Sequence, residues 1–171
     1  MFVRPAVPDD AESVAFVHVA TWREAYAGLV PEAVLAELDE IARAHMWRRA
    51  LEQGRSLWVA CDEEIVGFVS CGPARDEGDA PGRTGEIYAL YVRASHWGRG
   101  VGRPLMRAAL AELELRGFHD VTLWVLDANL RARRFYEKLG FHRDGGEKDE
   151  RLPGAAVLHE LRYRRALADP G

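Results

Sequence analysis

A chain of 171 residues, 48% hydrophobic and 29% charged, suits a single domain over 1–171 with a full core, ordered over about 2–165. The net charge of −4, from 27 acidic and 23 basic residues, excludes a nucleic-acid binder that works through a strong basic field. No apolar run approaches the roughly 20 residues that span a bilayer, and "MFVRPAVPDD" has no signal-peptide pattern, so the cytoplasm is the expected compartment with no membrane partner.

Residues 2–4 read as a short strand. "PDD" then offers a helix cap at Asp9 or Asp10. From there to about Tyr26, Val14, Val17, Ala20 or Thr21, and Ala25 recur at helical spacing. Gly28 and Pro31 break that helix, and Pro31 opens a second one running to about Leu51. "LWVAC" and "IVGFVS" flank "DEE", the pattern of a hairpin. Cys61 and Cys71 sit inside these apolar runs and read as small buried hydrophobes, since no spacing marks a disulfide or a nucleophile.

The Gly-, Pro- and charge-rich stretch 72–85 reads as a loop, and "EIYALYV" as the next strand. In "RPLMRAALAELELRG", Leu105, Ala109 and Leu113 make one helical stripe, with Gly117 as its C-cap. "VTLWVL" is a strand and "ANLRARRFYEKLGF" a short helix stopped by Gly140. The acidic run 144–150 reads as a loop, "AAVLHELRY" as a last strand, and the residues after Arg165 as a frayed tail. The order is β-α-α-β-β-β-α-β-α-β-β, with a strand after Phe141 left open, which is that of one mixed α/β domain.

Between the strand "EIYALYV" and the following helix stands "GRGVGRP", three glycines within five residues. Glycine loses more backbone freedom on folding than any other residue, so the stretch needs a reason. A Walker A loop fails, because no Lys-Ser/Thr pair follows Gly102. The dinucleotide fingerprint fails, because Arg103 occupies its last glycine position. Two readings stay open: a plain strand-to-helix turn with surface arginines, or an anion site. In the second, first-turn amides and the helix dipole are joined by Arg99 and Arg103, an arrangement that suits a pyrophosphate. Pro104 costs nothing in a first turn.

"LYVRASHWGRGVG" resembles the acetyl-CoA-binding signature of the GNAT acetyltransferase superfamily, and "LWVLDANLRARRFYEKLGF" resembles its second signature, at the expected separation. The resemblance covers nearly the whole chain. It implies a central, mixed, mostly antiparallel twisted sheet flanked by helices, with a V-shaped splay between two strands. It implies acetyl transfer from acetyl-CoA to a primary amine of a small molecule or peptide by direct attack, without a metal. The family usually carries Gln or Arg where this chain has Trp97, and Pro where it has Ala94.

By the same resemblance Gly98, Arg99, Gly100, Val101, Gly102 and Arg103 hold the pyrophosphate. Backbone groups of Leu90, Tyr91 and Val92 meet the pantetheine and the oxyanion. Asn129 bonds the pantetheine arm, although its residue type also suits a helix N-cap. Tyr136 is the expected general acid for the leaving thiolate, since a phenol with a reference pKa of roughly 10 stays protonated at neutral pH. Glu86 is the expected base, on the face of Tyr88 and Leu90 unless a bulge intervenes. A carboxylate at roughly 4.3 needs burial or a water relay for that work.

His18, Trp22 and Tyr26 stand at i, i+4 and i+8, and Trp22 and Tyr26 are expected to contact the acceptor. No histidine pair has metal-ligand spacing. A homodimer is compatible with such a domain but demanded by no segment. Two other functions share the fold: acetylation of protein α-amines or lysines, and a non-catalytic acyl-CoA sensor.

Overall fold

The computed structural model describes residues 1–76, 82–152 and 157–167. The middle of the expected loop at 72–85, the first residues of the expected last strand and most of the expected tail lie outside these. The chain opens with β1 (Phe2–Pro5), a single 3-10 turn at Pro8–Asp10 and α1 (Ala11–Ala25). Asp10 makes no side-chain cap on α1. Its carboxylate takes the Val7 N–H at 2.8 Å and two bonds from Arg4 at 2.7 and 2.8 Å, which pins β1 to the turn.

The single helix expected from Pro31 divides into α2 (Glu32–Ala36) and α3 (Glu40–Glu52). Asp39 causes the division. Its side chain accepts from the amides of Ile41 and Ala42 and starts a new helix there. The hairpin forms as expected from β2 (Ser56–Asp62) and β3 (Glu64–Pro73), with Glu63 at φ 65° as the turn. Then come β4 (Thr84–Val92), α4 (Gly102–Leu115), β5 (Asp120–Leu126), α5 (Leu130–Glu137), β6 (His142–Arg151) and β7 (Val157–Ala166).

The acidic run 144–150 is therefore part of β6 and not a loop. It is an edge strand whose mostly exposed, charged side chains tolerate solvent, and a register shift between Arg143 and Glu147 lets the glycines bulge. The sheet order is β1-β2-β3-β4-β5-β7-β6. Among the described strands β4 and β5 are the parallel pair, and the others pair antiparallel.

One face of the sheet packs on α4 through Leu105, Met106, Ala109 and Leu113 against Val69, Ile87 and Leu123. The other packs on α1 and α3 through Val14, Val17 and Trp47 against Val59 and Phe68. Leu105 and Leu113 are fully buried, each contributing about 1.5–3 kcal/mol of transfer free energy. These two layers fix β4 from both sides, which matters for the cleft beside it. Cys61 and Cys71 are free and buried, and burial pushes the Cys71 thiol up to about 12, so it is no nucleophile at neutral pH.

Candidate active site

The parallel pairing of β4 and β5 is short. It runs from Thr84–Asp120 to Ile87–Leu123 and stops. Beyond it, residues 89–92 keep their β3 partners on one side and have no β5 partner on the other. A cavity of about 1100 Å³ fills this opening. Leu90, Tyr91 and Val92 line it from β4, Trp124 and Leu126 from β5, and Trp22 and Tyr26 from α1. The splay implied by the sequence resemblance is present.

A bulge does intervene in β4. Ser70 pairs with Ala89 and Cys71 with Ile87, so Tyr88 is the extra residue. Leu90 and Val92 then turn toward the α4 layer, whereas Ala89 and Tyr91 turn toward α1 and α3. Glu86 stays beside Tyr88, as expected, but does not share a face with Leu90.

At the cleft's lower end lies the glycine loop. Gly98 and Gly100 have φ of +74° and +82°, in the left-handed region, and a methyl at either would touch nothing within 4 Å. Their glycine requirement is therefore conformational and not steric. Gly102 opens α4 against Phe135, where a methyl would come within 3.0 Å of the ring. No side chain caps α4, so its first amides point into the loop unsatisfied by the helix itself. Gly98, Gly100, Val101, Gly102 and Arg103 line the cleft, Val101 as a residue otherwise buried in the core, and Arg99 stands outside the lining.

Trp97 is tied down in this loop. Its indole N–H donates to the Val92 carbonyl at 2.6 Å, and the Arg131 guanidinium stacks 3.1 Å above its ring. Arg131 is exposed as a residue, yet the part of its head against the indole is desolvated, which lowers its pKa. It has no carboxylate partner among the described residues. Asn129 caps α5 by accepting from the Ala132 amide at 3.1 Å, so the N-cap alternative holds, and the residue also lines the cleft.

Tyr136 is buried on α5 with its ring against Phe135 and Phe141. Its hydroxyl has no protein hydrogen-bond partner among the described residues. Burial raises its pKa above the ordinary phenol value, and nearby Tyr91 adds to the shift, so it is protonated at neutral pH. A protonated donor with no competing partner, on a cleft wall, is free to serve a bound group.

On α1, Trp22 donates to the Tyr91 hydroxyl at 3.0 Å and meets Tyr26 edge-on at 4.8 Å. The shared helix face expected for His18, Trp22 and Tyr26 is observed. His18 belongs to the core: it accepts from Trp47 Nε1 at 3.1 Å, stacks on Tyr91 and is pulled down to about 4 by burial. Thr21, buried on the same helix, has the one side-chain polar atom among the described residues that is buried without a partner.

Glu86 is 2% exposed and fully occupied. Arg75 donates to it three times, from its backbone amide at 2.9 Å and its guanidinium at 3.2 and 2.6 Å. The same guanidinium stacks on Tyr88 at 4.4 Å. Sequence reasoning placed Arg75 in an anonymous loop and missed the clamp, which no spacing signals. It also missed Glu160 on β7, a half-buried carboxylate of the cleft wall, and the Trp97–Arg131 stack. Among the described residues no cluster of three potential metal ligands occurs, and no helix is long and apolar enough to cross a membrane.

An open sheet splayed beside a glycine loop at the start of a helix, with an unpartnered phenol lining the same cavity, suits an acyltransferase of the acetyl-CoA-dependent class. Comparison with known proteins gives the family. Residues 18–141 match the model of the Acetyltransferase (GNAT) family, and the chain belongs to it. It is 33% identical over 129 residues, 74% of this chain and 72% of the other, to YuaI of Bacillus subtilis (strain 168), an uncharacterized N-acetyltransferase.

Two solved structures share the fold at low identity. A ribosomal-protein-alanine N-acetyltransferase from Brucella melitensis superposes with a TM-score of 0.76 at 21% identity, covering 98% of this chain and 100% of its own. The yncA protein of Salmonella typhimurium, solved with its cofactor acetyl-CoA, gives 0.73 at 19% identity, covering 100% and 96%. Acetyl-CoA as a co-substrate fits this cleft. The cavity volume, the left-handed glycines and the unpartnered β4 edge fit a long thioester with a pyrophosphate at one end.

Proposed function

We propose that this protein transfers the acetyl group of acetyl-CoA to a primary amine of a small molecule or peptide by direct attack. The observation that carries the reading is the cleft in the β4–β5 splay, where the glycine loop and the unpartnered Tyr136 phenol line one cavity. The loop from Gly98 to Arg103 holds the pyrophosphate by backbone amides, and the free edge of Leu90, Tyr91 and Val92 receives the pantetheine and the carbonyl oxygen. Tyr136 protonates the departing thiolate. Trp22 and Tyr26 form the acceptor wall, and the carboxylates Asp149, Glu150 and Glu160 on the same cavity favour a cationic amine.

The test is turnover of acetyl-CoA against a panel of polyamines, amino acids, aminoglycosides and N-terminal peptides, read by product mass. Acetylation of one class of amine supports the reading and names the acceptor. Tight acetyl-CoA binding with no acetylated amine would favour a non-catalytic sensor instead.

A further inference from the structure

The proton of the incoming ammonium needs an acceptor, and two of the carboxylates that line the cleft from the sheet, Glu86 and Glu160, are not equivalent. Glu86 has both oxygens filled by Arg75, in three hydrogen bonds. An incoming ammonium would have to compete with those donors for the same oxygens. Glu160 is the contrasting case. It sits opposite Leu126 at the end of β5, where the splay is open, and its side chain is 17% exposed. It has one ion-pair contact, Lys148 Nζ at 3.4 Å, and that lysine is itself partly exposed and shared with the Trp124 ring at 4.2 Å.

Its surroundings connect it to the reacting end. Burial raises the Tyr26 pKa, and Tyr91, Tyr136, Glu160 and Glu150 add to the shift. Glu160, Tyr26 and the Tyr136 phenol line the same cavity. The charged and titratable groups around Glu160 are Lys148 and Glu150 from β6, Arg75 from the loop after β3, Tyr26 from α1 and Tyr91 from β4.

We propose that Glu160 is the proton acceptor for the amine, and that Glu86 is a positioning residue that holds Arg75 and Tyr88 beside the acceptor end. This rests on the acetyltransfer reading above. The ammonium gives one proton to the Glu160 carboxylate. The freed nitrogen lone pair forms the N–C bond to the thioester carbonyl carbon, the C–S bond breaks, the sulfur takes the Tyr136 proton, and the nitrogen releases its second proton to solvent as it becomes the neutral amide. Tyr136 then recovers a proton from solvent, and Glu160 releases its own. Desolvation raises the pKa of Glu160 against the opposing pull of Lys148, which moves it toward the range useful for a base.

The experiment compares wild type, E160Q, E160D and E86Q in kcat and kcat/KM against pH, with the acceptor found by the panel, and in acetyl-CoA binding by calorimetry. E160Q is expected to lose about 10²–10⁴ in kcat and the acidic limb of the profile, while its acetyl-CoA Kd stays within about twofold. E160D should restore part of the rate together with the limb. E86Q should keep the limb and act mainly through acceptor KM. An E160Q enzyme that retains the limb while E86Q loses it would overturn the assignment. A wild-type protein that binds acetyl-CoA but acetylates no amine would overturn the acetyltransfer reading and this inference with it.

Discussion

Replacing Tyr136 with Phe removes one oxygen and keeps every packing contact of the ring, whose neighbours Phe135 and Phe141 lie at 5.5 and 6.0 Å between centroids. The hydroxyl has no protein partner among the described residues, so its loss breaks no hydrogen bond. Folding stability should change by no more than about 0.5 kcal/mol, a melting shift of about 1–2 °C for a chain of this size. The rate should respond quite differently. A positioned general acid contributes about 10²–10⁴, or about 3–5 kcal/mol at the transition state. We therefore expect kcat to fall by that factor with acetyl-CoA Kd within about twofold of wild type. The loss should shrink for an acetyl thioester of a more acidic thiol, whose leaving sulfur needs less help. The assays are steady-state kinetics, calorimetry and thermal melting on the same preparations. A kcat within about threefold of wild type would refute the general-acid argument, and so would an equal loss with every leaving group.

Other outcomes follow from the same geometry. Gly100→Ala, and likewise Gly98→Ala, should weaken acetyl-CoA binding about 5–30-fold, because a left-handed alanine costs about 1–2 kcal/mol and the loop will relax away from the bound conformation; unchanged calorimetry would contradict this. Arg131→Ala should weaken acetyl-CoA binding several-fold at low salt and less at high salt, and leave acetyl-pantetheine, which has no pyrophosphate, unaffected. His18 is held near 4 in the folded state against about 6.5 unfolded, so the unfolded chain binds more protons between those values. Its contribution to stability is full above about pH 6.5 and is lost as the pH falls toward 4. His18→Gln, whose carbonyl can still accept from Trp47, should flatten the melting temperature across that window. A mutant whose melting temperature falls as steeply as wild type would show that another group titrates.

Much of this molecule is legible in its sequence because local and tertiary signals agree. The stripe of Leu105, Ala109 and Leu113 faces the core, and Gly117 and Gly140 end their helices at positive φ, as their positions imply. Elements with conflicting signals were not legible. Residues 144–150 carry charge and glycine like a loop, yet pair as an edge strand because the partner β7 supplies the burial. Asp39 stops one helix and starts another, a choice that depends on where the chain turns back and not on the apolar spacing. The bulge at Tyr88 leaves no mark on the alternation of "EIYALYV". In the site, the motif residues of the loop and of α5 come together as read. The partners that set their chemistry do not appear at any fixed spacing: Arg75 on Glu86, Arg131 on Trp97, and Glu160 across the sheet. Those are long-range contacts, and a motif carries no information about them.

The most direct test of the central claim is a single assay: purified protein, acetyl-CoA and the amine panel, with thiol release and product mass followed together. The account predicts thiol release that depends on one class of primary amine, matched mole for mole by its N-acetyl product. Thiol release without an acetylated amine, or binding of acetyl-CoA with neither, would contradict it.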